Sequence, residues 1–136
     1  MANSPVGPRI EPYYPIVHER EWGQEIFIAE TPRYLGKVLK MHKGGRGGLQ
    51  FHRRKDETFH LLSGKALVES DDGHGTLARR VMQPGESFHI PPGAPHRVTA
   101  LEDCVFVEAN TPHYDDRVRV EERYGEVAVG GLPTTG

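Results

Sequence analysis

Gln50, His52 and Glu57 are the residues whose types and spacing point most directly to chemistry. They lie in the stretch "LQFHRRKDETFHLLSG", Leu49 to Gly64. In an extended strand the side chains at i and i+2 project from one face, so Gln50 and His52 are neighbours about 7 Å apart, with Phe51 turned the other way. The charged run "RRKD" reads as a turn that returns the chain beside this strand and lets Glu57 converge on the pair. An amide oxygen, an imidazole and a carboxylate make a hard-to-borderline metal site, and the neutral amide lowers its charge relative to a third carboxylate. His96 is the fourth candidate. Pro91, Pro92, Gly93 and Pro95 force a bend just before it and present it at a strand start. Two histidines, one carboxylate and one amide leave one or two positions for water or substrate, the pattern of a catalytic site rather than a closed structural one. Lys55, on the turn three residues after His52, belongs to a basic lip that attracts a phosphate or carboxylate.

The elements that must position these residues are short and apolar-alternating. "EIFIAE", "YLGKVLKM", "LQFH", "ETFHLLSG", "KALVES", "TLARRVM", "SFHI", "HRVTAL" and "CVFVEA" read as strands, separated by turn signals such as "DDGHG", "QPGE" and "PPGAP". No stretch before residue 110 carries a long helical period. Many short strands with frequent turns predict an all-β sandwich or barrel. His60 and His89 alternate with apolar neighbours and are expected outside the barrel, and Cys104 lies in an apolar run as a core residue. "KGGRGG" is expected to be a flexible connection. Residues 1–20 read as an extended arm, with Tyr13, Tyr14 and Trp22 as interface aromatics. Residues 21–125 read as the single domain and 126–136 as a flexible tail. "DDRVRVEERYG" is open between a short strand and a helical turn.

The 136 residues suffice for one domain with one core. Sixteen glycines and eleven prolines favour a turn-rich β protein. A formal net charge of -2 argues against a nucleic-acid partner. One cysteine excludes a disulfide within the chain and fits a reducing cytosol. The absence of a secretory pattern at the start, or of about 20 consecutive apolar residues, leads to the expectation of a cytoplasmic protein without a membrane partner.

Two motifs carry a resemblance. Gly44, Gln50, His52, Glu57 and Gly64 match the spacing of the first cupin motif, G-x5-H-x-H-x3-4-E-x6-G, with Gln50 in place of the first histidine. Gly85, Pro91, Gly93 and His96 match the second, G-x5-P-x-G-x2-H-x3-N, with Ala100 in place of the asparagine. The chain therefore resembles the cupin superfamily, which implies a double-stranded β-helix, the jelly-roll barrel. The Gln-x-His pair, together with "WGQE", "YLGKVLKM" and "DDRVRVEERYG", is similar to the cupin domain of mannose-6-phosphate isomerases and of bifunctional isomerase/guanylyltransferases, over roughly Trp22 to Gly125. That resemblance implies one divalent metal held by Gln50, His52, Glu57 and His96, zinc first, with manganese, iron or nickel open. It implies a small, anionic or phosphorylated substrate near Lys55, aldose–ketose isomerisation, and a homodimer. Two other functions fit the same residues: a metal-dependent dioxygenase or related oxidative cupin, and a non-catalytic small-molecule-binding cupin. The sequence shows no general base.

Overall fold

The computed structural model describes residues 6–114 and 116–120 and the backbone of 131–134. The alternating runs form strands: β1 Ile16–Arg20, β2 Gly23–Glu30, β3 Leu35–Met41, β4 Gln50–His52, β5 Glu57–Ser63 and β6 Ala66–Asp71. They continue with β7 Leu77–Met82, β8 Ser87–Ile90, β9 His96–Ala100, β10 Cys104–Asn110, β11 Arg117–Val120 and β12 Gly131–Thr134. Two antiparallel sheets result, ordered β1-β2-β3-β10-β5-β8 and β12-β11-β4-β9-β6-β7. From β3 to β6 and from β7 to β11 each connection crosses between the sheets, so the two inner faces enclose one barrel interior. Among the described residues no helix is long and apolar enough to cross a membrane.

The interior is graded along the barrel. At one end Leu61, Ala66, Val68, Met82, Cys104 and Phe106 are almost fully buried. Phe106 meets Phe59 edge-on at 5.8 Å between ring centroids, a favourable aromatic geometry. The same strands carry the gradient to the other end. On β5 the inward positions run Leu61, Phe59, Glu57, and on β10 they run Cys104, Phe106, Glu108. The apolar end is a packed core; the polar end is a cavity.

Three expectations change. "KGGRGG" is tied to β9: the Gly44 amide donates to the Ala100 carbonyl, Gly47 to Val98, and Ala100 back to the Gly45 carbonyl. Glycine is required because a Cβ on Gly45 would stand 2.8 Å from the His42 carbonyl oxygen. The expected arm ends in a strand, Ile16–Arg20, paired with β2, and Trp22 is half-buried and packs against the core. In the expected tail, Gly131–Thr134 pairs with β11; residues 126–130, 135 and 136 lie outside the described residues. Of "DDRVRVEERYG", Arg117–Val120 is strand, while Asp115 and residues 121–125 lie outside the described residues.

Candidate metal centre

Each candidate ligand stands at a strand end on the polar side of the barrel. Gln50 and His52 open and close β4, Glu57 opens β5, and His96 opens β9. The turn after β4 is fixed by Asp116, whose carboxylate accepts from the amides of Arg54 and Lys55, each at 2.7 Å. The proline-rich bend before β9 is docked on β4 by the Gly93 amide, which donates to the His52 carbonyl at 2.7 Å. Local turns thus lock the register in which the three strands deliver their side chains.

His52, Glu57 and His96 converge, with one ligand atom from each and all of these within 4.8 Å of one another, and all three are buried. Glu57 Oε1 lies 3.0 Å from His96 Nε2 and 3.5 Å from His52 Nε2. His96 Nδ1 is 2.9 Å from the Ala94 carbonyl. A carbonyl only accepts, so Nδ1 carries a proton and Nε2 is the ring atom turned toward Glu57. His52 Nδ1 stands 3.4 Å from Asp116 Oδ1, longer than a good hydrogen bond, and both atoms are buried without another partner among the described residues. A small ring rotation closes that contact and gives His52 the same tautomer. Three buried donor atoms then face a common point, where a cation can replace the protons they would otherwise share. The set fits a divalent metal, with Asp116 and the Ala94 carbonyl as the outer groups that orient metal-binding histidines.

Electrostatics separate the carboxyls around the cavity. Burial alone would raise the Glu57 carboxyl, but the close approach of His52 and His96 and the charges of His96 and Lys55 outweigh it and hold Glu57 well below the usual range. Burial likewise pushes Asp116 up, yet the two backbone amides and His52 bring it lower. Glu25 is lowered against its burial by Lys37 and Arg20. Glu108 goes the other way: burial, then the charge of Glu57, push it up to about 7.

Gln50 faces His96 across the β4–β9 pairing and lines the cavity with the triad. Lys55 is not an exposed lip. It is buried, with Nζ 3.8 Å from Glu57 Oε2, and its ammonium is lowered by burial first and by the charge of Lys37 second. His60 and His89 point away from the cavity, toward Ser87 and Asp56, and Cys104 is a buried free thiol. Glu25, Lys37, Glu108, Asp116 and Arg117 were not singled out by the sequence reading. Parity was the available signal for two of them: Lys37 shares the face of Leu35 and Met41, and Glu108 that of Cys104 and Phe106. The cavity, about 170 Å³, is floored by Phe59 and Phe106 and walled by Glu25, Lys37, Glu108 and Arg117.

Known proteins give the same picture. A family model described as Cupin domain matches residues 37–107. Mannose-1-phosphate guanylyltransferase of Escherichia coli is 27% identical over 114 residues, covering 78% of this chain and 22% of that protein. Alginate biosynthesis protein AlgA of Pseudomonas aeruginosa is 28% identical over 118 residues, covering 83% of this chain and 24% of that protein. The chain thus spans about a quarter or less of the length of these relatives. Among solved structures, KdgF from Halomonas sp. superposes with a TM-score of 0.63 at 23% identity, covering 74% of this chain and 95% of that one. The capsular polysaccharide assembling protein CapF from Staphylococcus aureus superposes with a TM-score of 0.69 at 21% identity, covering 78% and 31%. With both motifs on the page, the jelly-roll barrel built around them and a family match over more than half its length, the chain belongs to the cupin family.

Proposed function

We propose that this cupin is a metal-dependent aldose–ketose isomerase of a phosphorylated sugar, with Gln50, His52, Glu57 and His96 as metal ligands. The observation that carries the reading is one cavity holding both the buried triad and Glu108, a carboxyl held near neutrality. A general acid–base group works best when its pKa lies near the working pH. The curated relatives lend support through the mannose 1-phosphate in one of their names.

In this reading the metal, when bound, polarises the hydroxyl and carbonyl oxygens of the sugar. Zinc suits the mixed nitrogen and oxygen donors, and manganese, iron and nickel suit them less closely. Glu108, as the carboxylate, takes the proton from C2 of the aldose. The C–H electron pair becomes the C1=C2 bond of an enediol as O1 takes a proton from solvent. Glu108 then returns its proton to C1, and O2 gives its own to solvent as the C2 carbonyl forms, so no proton is gained or lost overall. Lys55 helps bind the substrate from the cavity wall. The reading also places the protein in the cytosol, where Cys104 stays a thiol, and as a homodimer.

The test is interconversion of mannose 6-phosphate and fructose 6-phosphate by the metal-loaded full chain. Turnover should disappear with a chelator and return with zinc or manganese. It should fall at least about a hundredfold in Glu108→Gln. Failure to interconvert these or any other aldose and ketose phosphates by protein that holds its metal overturns the reading.

A further inference from the structure

Arg117 has no role in the metal centre, yet it reaches the same cavity. It pairs with His52 in the β11–β4 register and lines the cavity wall. Its Nε is buried without a hydrogen-bond partner, and its guanidinium makes no hydrogen bond or ion pair with the described residues. Two lysines share the space. Lys37 is bound to Glu25 at 3.0 Å. Lys55 has Glu57 at 3.8 Å as its nearest counter-ion, and the charges of Lys37 and Arg117 both act on it. Three cations gathered in one partly dry cavity repel one another, and an unpaired buried charge is costly.

Metal binding sharpens the imbalance. An ion held at the triad through Glu57 Oε1 would draw on the charge that Oε2 offers Lys55. Lys37 keeps Glu25, whose charge Arg117 only shares, and Lys55 retains the more distant charge of Glu108. With a divalent ion in place the cavity holds more positive than negative charge. A planar guanidinium beside a point-charge ammonium matches a phosphate or carboxylate, the first gripping two oxygens and the second adding charge.

We propose that Arg117 is the anion-binding residue of this cavity and that, with Lys55, it takes the phosphate or carboxylate of the substrate beside the metal triad. This deepens the isomerase reading and rests on it only for the identity of the substrate. In a phosphorylated sugar, Arg117 would anchor the end remote from the carbons that exchange the proton.

The experiment uses the zinc-loaded full chain, with inorganic phosphate and acetate as probes in titration calorimetry and bound zinc measured by mass spectrometry. Arg117→Gln should keep its zinc and bind phosphate about tenfold or more weakly, with Arg117→Lys in between. Weakening of phosphate alone marks a phosphate subsite; equal weakening of acetate marks a general carboxylate or phosphate subsite. Without phosphate, Arg117→Gln should melt no lower than the parent protein, because the lost charge had no hydrogen-bond or ion-pair partner among the described residues. Unchanged phosphate affinity in zinc-retaining Arg117→Gln, or no phosphate binding by the parent, overturns the proposal. If Arg117→Gln loses its fold, Arg117→Met is the second variant, and loss of fold there too makes Arg117 structural and overturns the proposal. Arg117-dependent phosphate binding without any isomerase turnover sinks the isomerase reading and leaves the subsite standing.

Discussion

Asp116 lies outside the candidate ligand set yet is placed to orient one of its members. Its carboxylate bonds the Arg54 and Lys55 amides through one oxygen and faces His52 Nδ1 with the other. It therefore sets both the turn that carries Lys55 and the tautomer of His52. Asp116→Asn keeps the shape and removes the charge, so zinc affinity should fall about 10–100-fold, read by competition with a chromophoric chelator. Affinity equal to the parent would falsify the orienting role. Glu108 makes a second prediction at this scale. Its folded pKa, about 7, lies above the ordinary value of 4.5, so between those values the folded chain holds more protons than the unfolded one. Its contribution to stability is complete below about 4.5 and is lost as the pH rises through about 7. In chelator-treated protein, Glu108→Gln should be neutral at pH 4 and stabilise by about 1–3 kcal/mol at pH 8. Urea unfolding at the two pH values checks this, and an identical effect at both would remove the assignment.

Elements were more legible than sites because alternation is local and pairing is not. The strands from "EIFIAE" to "CVFVEA" sit where their period places them, since each has one face to bury. The metal triad was legible because its ligands break that period at the ends of strands joined by short turns. Asp116 and Arg117 were not, because β11 meets β4 across more than sixty residues and nothing in the local pattern announces it. Lys37 and Glu108 were hidden differently: one charge in an apolar face reads as noise until the face is known to line a cavity. The hairpin β1–β2 gives an element-scale prediction. Gly23 closes it with φ 146°, and a Cβ there would fall 1.8 Å from the Lys40 carbonyl oxygen. Strand β2 would have to move away from β3 to admit it. Gly23→Ala should therefore cost more than about 2 kcal/mol in denaturant unfolding; a loss below about 0.5 kcal/mol would mean that the hairpin yields freely.

The whole molecule leaves its N-terminal segment uncovered. Val6, Ile10 and Tyr14 are 97–99% exposed, and every residue of β1 is exposed although Ile16 and Val17 are apolar. Tyr13 tethers the segment back to the sheet by donating to the Ile28 carbonyl. The segment is thus held against one edge while its apolar side chains face outward. Exposed apolar side chains beside a free sheet edge suit an interaction site, and β1 is the edge strand of its sheet, with unpaired backbone groups ready for another strand. A second copy offering the same edge satisfies both at once in a two-fold, self-complementary contact. The full chain should therefore run in light scattering at twice its 15.2 kDa mass. Removing residues 1–14 should shift it to the monomer while leaving the zinc content per chain unchanged, because the triad is built entirely from β4, β5 and β9. A monomeric full chain at tens of micromolar removes the dimer, and a truncated chain that loses zinc along with its partner would show that the two ends of the barrel are coupled through the arm.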